Sequence, residues 1–291
     1  MNNHLLSNIE KSYAGFSKGQ KRIADFIENH YDKAAFMTAS KLGMTVGVSE
    51  STVVRFATEV GYDGYPSLQK AMQEMIRNKL TSVQRIEVAC DQIGQSDVLE
   101  AVLTLDIEKI RRTLEETSKS DFYEAVTSIS EAKRVYIVAA RSSAPLAAFL
   151  GYYFNLVLGN VTIVNAVSES EIFEKLLRVN QEDTVIGISF PRYSSTAAKA
   201  LRFASDRGAH VVAITDSHGS PIAQFCNNLL LARSDMVSIV DSLVAPLSLV
   251  NALIVATALR KKEEISSLFG QLEDIWDQYA VYEKVEENPD E

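Results

Sequence analysis

Apolar residues in the first 77 positions recur at helical spacing. Ile23, Phe26 and Ile27, then Tyr31 and Ala34, fall three and four residues apart, the period of one helix face. Ser17, with Gln20 three residues on, predicts a capping box at the start of that helix. Residues 37–40 read as a break before a short helix over 39–45, and Gly47-Val48-Ser49 as a tight turn. Ser49 caps a further helix that runs to about Val60 and stops at Gly61, and Pro66 opens another over 66–78. Residues 79–100 are polar and lack strong periodicity, which suits a linker with partial helix. A helix over 98–116 follows, with Leu99, Val102, Leu103 and the stretch 105–110 supplying its apolar face.

The pattern changes at Asp121. Helical segments at 121–130, 144–158, 169–178, 195–207 and 220–225 each precede a short apolar run, at 135–140, 161–164, 184–189, 210–215 and 229–231. Five such runs separated by helices predict a parallel sheet buried on both faces. Helices at 242–260 and 263–280 follow, and residues 283–291 form an acidic end prone to fraying. The expected fold class is thus an all-helical N-terminal domain (1–77), a connection (78–120) and an α/β/α domain with a five-stranded parallel sheet (121–291).

Composition adds three constraints. Two cysteines, Cys90 and Cys226, stand far apart with no CxxC or CxxH nearby, so they read as reduced, small apolar residues, without a disulfide or a metal site. That pattern and the lack of a secretory leader or a bilayer-length apolar run predict a cytoplasmic protein without membrane contact. The net charge of −9 is unevenly spread. Residues 1–80 hold ten Lys/Arg against eight Asp/Glu, a net of +2, and the remainder carries −11. The asymmetry follows the domain split, and the helical part is only weakly basic, so any nucleic-acid role must rest on placed residues.

Residues 42–56 carry such a placement. A helix-turn-helix needs a small residue where its helices cross, and Gly43 stands there. It needs a residue that tolerates a left-handed backbone at the turn, which Gly47 does. Val53, Phe56, Ala57 and Val60 make one buried face of the second helix. Ser51, Thr52 and Arg55 then point outward, toward base edges or phosphates of a major groove, and Ser49 with the first-turn N–H groups suits a phosphate oxygen. Lys18, Tyr65 and Lys70 complete the candidate DNA-contacting set. The same features also fit a plain αα-hairpin with a Ser cap and a Gly turn.

This stretch resembles the N-terminal domain of the RpiR family of bacterial regulators. The resemblance lies in Gly47-Val48-Ser49, Thr52-Val53, Arg55-Phe56, Gly61-Tyr62, Gly64-Tyr65 and Leu68, with Gln69-Lys70 in place of the usual Leu-Lys. Gly43 stands where Ala is usual, and Gly in a helix is expected to loosen it by roughly 1 kcal/mol.

Three strand ends of the second domain carry hydroxyl-rich loops. They are Arg141-Ser142-Ser143, Ser189 followed by Arg192, Ser194, Ser195 and Thr196, and Thr215 followed by Ser217. Ligands of open parallel sheets bind beyond the carboxyl ends of strands, and helix N-termini favour anions. These ten residues form a candidate phosphosugar site, although each Ser or Thr is also an ordinary helix cap, and Arg141 could instead pair with a carboxylate at a subunit contact. The segment from about 121 to 262 resembles the SIS (sugar isomerase) domain, which follows the helix-turn-helix in RpiR regulators. The usual G-x-G-x-S motif is here Ala139-Ala140-Arg141-Ser142-Ser143, without either glycine. The usual S-x-S-G-x-T is here Ser189-Phe190-Pro191-Arg192-Tyr193-Ser194, and Ile214-Thr215-Asp216-Ser217 with Ser220-Pro221 and Ala223 fits a third motif.

The resemblance implies a DNA-binding regulator of carbohydrate metabolism whose second domain binds a sugar-phosphate effector. It also implies pairing of copies, into a homodimer or tetramer, with the 242–260 helix a candidate contact, though that helix reads more simply as core. No acid/base couple, P-loop, GxGxxG or zinc motif stands out; His4, His30, His210, His218, Glu169 and Glu171 have no evident catalytic partner. The expectation is a protein without catalysis, cofactor or metal. An isomerase-like enzyme with an N-terminal interaction domain is the alternative, and a helical protein adaptor a further one.

Overall fold

The computed structural model describes residues 4–76, 97–164, 168–234 and 241–282. It divides into two compact units. The first takes in Met1–Arg112 with Phe190–Tyr193 and Arg233–Val244; the second takes in Thr113–Ser189, Ser194–Ala232 and Ala245–Glu291. Most of the expected linker, 77–96, lies outside the described residues.

The first unit begins with five helices: α1 (His4–Ser12), α2 (Lys18–Ala34), α3 (Ala39–Val46), α4 (Glu50–Glu59) and α5 (Gly64–Ile76). The capping box at the start of α2 is formed as predicted. The Ser17 hydroxyl accepts from the Gln20 N–H, and the Gln20 side chain accepts from the Ser17 N–H. Between them the two residues satisfy donors that a helix start leaves open. Ile9, Ile23, Ile27, Leu42, Phe56, Leu68 and Met72 are fully buried in one core, with the Phe16 and Phe56 rings 5.1 Å apart. This core is drawn from all five helices. A helix α6 (Val98–Glu116) follows the undescribed segment.

The second unit holds a five-stranded sheet, all parallel, in the order β2-β1-β3-β4-β5. The strands are β1 (Arg134–Ala139), β2 (Val161–Val164), β3 (Asp183–Ile188), β4 (His210–Thr215) and β5 (Asn228–Leu231). The helix α7 (Lys119–Glu131) leads into β1, α8 (Ala144–Leu158), α9 (Glu169–Leu176) and α10 (Ser195–Asp206) join successive strands, and α11 (Val244–Arg260) and α12 (Lys262–Gln278) follow β5. The helix expected at 220–225 is only a 3-10 turn, Ala223–Phe225.

Central β3 is buried along its whole length, so its run of apolar residues has no polar alternation. Tyr136, Val138, Val185, Val211 and Ala213 on one face pack with Ala197, Ala200, Leu201 and Ala204 of α10. Alternation turns Ile137, Ile186, Val212 and Ile214, also buried, to the other face. Gly187 is fixed by packing: a Cβ there would lie 2.4 Å from a Leu201 methyl carbon. The α11 helix buries Ala245, Pro246, Leu249, Val250, Leu253, Ile254 and Thr257, so much of it is core, while Val244, Leu247, Val255 and Leu259 are exposed. Among the described residues, no single helix is long and apolar enough to cross a membrane.

Candidate functional site

The helix pair α3–α4 has the geometry its glycines predict. Gly47 ends α3 in the left-handed region (φ 71, ψ 44), and the Val48 N–H donates to the Gly43 carbonyl at 2.8 Å. Gly43 corrects the sequence expectation. A Cβ at this position would lie 2.8 Å from the Val48 carbonyl oxygen, closer than real Cβ atoms come to backbone. In this chain Gly43 therefore permits the crossing, and alanine would strain it.

Ser49 caps α4, its hydroxyl accepting from the Thr52 N–H at 3.3 Å and lying 2.9 Å from the Ser51 hydroxyl and 2.8 Å from that of Thr52. Ser49, Ser51 and Arg55 are exposed and Thr52 is half-buried, while Val53, Phe56 and Ala57 are fully buried. Arg55 folds back along the helix, its Nε donating to the Ser51 carbonyl at 3.3 Å. The start of α4 thus presents hydroxyls, a guanidinium and the positive end of a helix dipole on one open surface. Lys18 and Lys70 are exposed, on α2 and α5.

Tyr65 does not belong with them. It is buried in the helical core, and its hydroxyl donates to the Met37 carbonyl at 2.7 Å. Burial pushes its phenol up to about 12. The sequence placed it beside DNA because it sits among motif residues; the fold uses it to pin the loop before α3. Arg22 was missed. It is exposed, and its guanidinium lies 3.1 Å from where a Cβ on Gly47 would stand, against the turn. Its spacing of four from Lys18, one helical turn, was the available signal.

The second unit places its candidates at the strand ends. The order β2-β1-β3 means the chain leaves β1 in one direction for β2 and returns to β1's other side for β3. Adjacent β1 and β3 therefore flank the topological switch point, where a crevice forms beyond the strand ends. Ala139 pairs in register with Ile188 at that edge. Ser143, just beyond β1, and Ser189, just beyond β3, are both buried. The Ser194 N–H donates to the Ser189 hydroxyl at 3.3 Å, and the Ser194 hydroxyl caps α10 by accepting from the Ala197 N–H at 3.2 Å. Ser142 and Ser195 are exposed; Thr196 and Ser217 are half-buried.

Thr215 is fully buried, and its hydroxyl donates to the Ser189 carbonyl at 2.7 Å. That bond ties the end of β4 to the end of β3, so Thr215 holds the site rather than facing a ligand. Ser220 was left out of the candidate set. Its hydroxyl is buried and has no hydrogen-bond partner among the described residues. An unsatisfied buried hydroxyl costs about 1–3 kcal/mol.

Backbone conformation accounts for the missing glycines. Arg141 stands at the position of the second glycine in G-x-G-x-S, and Arg192 at the glycine of S-x-S-G-x-T. Both are exposed and both keep a left-handed backbone, with φ of 55 and 64. Arg192 lies in the segment Phe190–Tyr193, which groups with the first unit. A side chain in that region costs roughly 1–2 kcal/mol, which is why glycine is usual. The loop retains the glycine conformation while presenting a guanidinium.

A helix-turn-helix with an open second helix, carried on one chain with a parallel α/β sheet that has a hydroxyl-lined switch point, defines a DNA-binding transcription regulator with an appended small-molecule domain. Residues 3–79 match the helix-turn-helix domain of the rpiR family, and residues 128–256 match the SIS domain. The chain belongs to the RpiR family of transcription regulators. It is 22% identical over 219 residues to an HTH-type transcriptional regulator of Clostridium perfringens, covering 75% of this chain and 77% of that one. The sugar isomerase domain of an RpiR transcription factor from Sphaerobacter thermophilus is 29% identical, with a TM-score of 0.58 over 61% of this chain and 98% of its own. The NanR protein of Vibrio vulnificus, solved in complex with ManNAc-6P, shares the fold at 18% identity, with a TM-score of 0.57 over 96% of this chain and 98% of its own.

Proposed function

We propose that this regulator binds a phosphorylated sugar at the β1–β3 switch point and that the ligand alters its grip on operator DNA. The observation that carries the reading is the convergence of Ser143, Ser189 and Ser194 on the edge where β1 and β3 separate. Hydroxyls and the N-terminus of α10 there suit an anionic, polyhydroxylated ligand. Arg141 adds a positive charge from the same loop as Ser143. The ManNAc-6P bound to the Vibrio protein on this fold supports the ligand class. On the DNA side, Ser49, Ser51, Thr52 and Arg55 contact the duplex, with Lys18, Arg22 and Lys70 toward phosphates. Helix-turn-helix proteins read paired half-sites, so two copies act on one operator in the cytoplasm. The ligand acts only in so far as it prefers one arrangement of those copies.

We read the second unit as a sensor without turnover. The relatives are named as regulators. The test is a thermal-shift screen of the full chain against sugar phosphates, followed by gel shift on its own upstream DNA with and without the compound that binds. A ligand specific to the folded state raises the melting temperature. The reading predicts that one sugar phosphate stabilises the protein and changes the DNA affinity. Stabilisation by none, or steady conversion of the bound sugar into an isomer followed by NMR, would overturn it.

A further inference from the structure

The outward face of α4 holds one side chain that cannot form a hydrogen bond. Val53, Phe56, Ala57 and Val60 bury one side of the helix. With 3.6 residues per turn, Val54, Thr58, Ser51 and Arg55, in that order round the helix, span an arc of about 100° centred opposite that side. All four are exposed. Thr52 lies outside the arc. It is half-buried, its hydroxyl is 2.8 Å from that of Ser49, and its methyl lies 3.6 Å from where a Cβ on Gly19 of α2 would stand. Glu59 lies beyond Arg55, and its carboxylate accepts from the Gln20 side chain of α2. Glu50, beyond Val54, sits in the first turn, where a carboxylate suits the helix dipole. The arc itself carries no carboxylate.

Val54 is 40% exposed. Helix stability does not account for it, because a β-branched residue loses side-chain freedom in a helix and alanine is the better former. A single exposed valine is ordinary on a protein surface; its place on this arc is what points to a role. Its neighbours on the arc are tied to the helix backbone. The Thr58 hydroxyl donates to the Val54 carbonyl at 3.4 Å, and Arg55 Nε donates to the Ser51 carbonyl at 3.3 Å.

Chemistry limits what a valine can read. The base-pair edges in the major groove are donors and acceptors, save for one apolar group, the C5-methyl of thymine. A helix-turn-helix sets the first half of its second helix against those edges, and Val54 lies in that half of α4. Ser51 and Arg55, with a hydroxyl and a guanidinium, suit phosphates and bases alike, whereas Val54 gains nothing from a phosphate. We propose that Val54 is a specificity-determining residue, its methyl groups packing on the C5-methyl of one thymine in each operator half-site. This rests on the reading of α4 as the DNA-contacting helix and names what that helix selects.

Duplexes selected by the full chain from a random-sequence pool define the half-site. Each of its thymines is then replaced in turn by deoxyuridine, which removes the C5-methyl and keeps every pairing group. Fluorescence anisotropy should find one position per half-site where the change lowers affinity by about fourfold, the worth of one buried carbon group. Val54→Ala should weaken binding to the thymine duplex by a similar factor and should bind thymine and uracil duplexes equally at that position. Alanine favours an exposed helix site, so the variant keeps its fold, which circular dichroism checks. Sensitivity to uracil at no position, or sensitivity that survives unchanged in Val54→Ala, overturns this role for Val54 and leaves α4 as the DNA-contacting helix. A pool from which the full chain selects no duplex overturns both.

Discussion

The two ends of the one parallel sheet are built on opposite principles. At the amino end charged and amide side chains are tied into networks, although the Asn160 Oδ1, just before β2, is buried with no partner among the described residues. Arg134 grips Asp183 through two parallel hydrogen bonds of 2.9 and 2.7 Å, and the Asn180 N–H donates to the same carboxylate at 2.9 Å. Asp183 beside it raises the Arg134 guanidinium further above its ordinary value. His210 lies 2.7 Å from Asn228, whose amide donates to Glu124 at 3.0 Å. At the carboxyl end the candidate residues are hydroxyls on loops, the Ser220 hydroxyl is buried with no partner among the described residues, and Arg141 and Arg192 keep a glycine's conformation. A fold that pairs its charged groups at one end and leaves strained backbone and open hydroxyls at the other would separate stability from the proposed ligand recognition. Strained or unsatisfied groups persist only where the surrounding structure holds them.

The sharpest way to break the contrast is Asp183→Ala. Its carboxylate is fully buried, and removing it strands the Arg134 fork and the Asn180 N–H. Arg134 is partly exposed, which lowers the expected loss to about 2–3 kcal/mol. Urea titration should show that loss, while ligand affinity of the folded fraction stays within about twofold. A ligand affinity that falls with the stability would show that the two ends are not separate.

Ser143→Ala with Ser194→Ala should do the reverse. Isothermal titration with the sugar phosphate found by screening should show affinity lower by tenfold or more, about 1.4 kcal/mol. Loss of the α10 cap at Ser194 should lower stability by only about 1 kcal/mol. Unchanged affinity in both single variants would place the ligand elsewhere.

Tyr65 is the first unit's counterpart of the amino end, a buried polar group engaged in structure. Its phenol ionises near 10 in the unfolded chain and at about 12 when folded. Its contribution is therefore complete below pH 10 and is lost as pH rises through 12. Tyr65→Phe should lower the stability by about 1 kcal/mol at neutral pH and flatten the loss between pH 10 and about 12. Helical circular dichroism against pH reads both effects. DNA affinity at neutral pH should not change, and a large drop would return Tyr65 to the DNA surface.

The smallest effect is the most pointed. Arg141→Gly should stabilise the fold slightly, by about 1 kcal/mol or less as backbone strain is relieved, with a small rise in melting temperature, while weakening ligand binding. Destabilisation by that change would mean the arginine side chain has a structural role at rest.

Much of this protein was legible in its sequence because the controlling interactions are local. The period of apolar residues gave the helices and strands, Ser17 with Gln20 gave a cap, and Gly47 gave a left-handed turn, each decided within a few residues of the chain. The motif spacing around Arg55 and the recurrence of hydroxyls after strands pointed to the two candidate surfaces. What only the tertiary structure decided depends on which distant residues come together. Tyr65 and Thr215 sit inside hydroxyl-bearing motifs, yet each donates to a carbonyl 26 or more residues away and so leaves the binding set. Gly43 is set by the approach of the Val48 carbonyl, and the switch point by a strand order that no single strand encodes. The helix α6 is of the same kind. Its apolar residues are plain in the sequence, but which side of a helix is buried is settled by its neighbours: here Asp106 and Lys109 are buried, and Leu99, Leu103 and Ile107 are exposed.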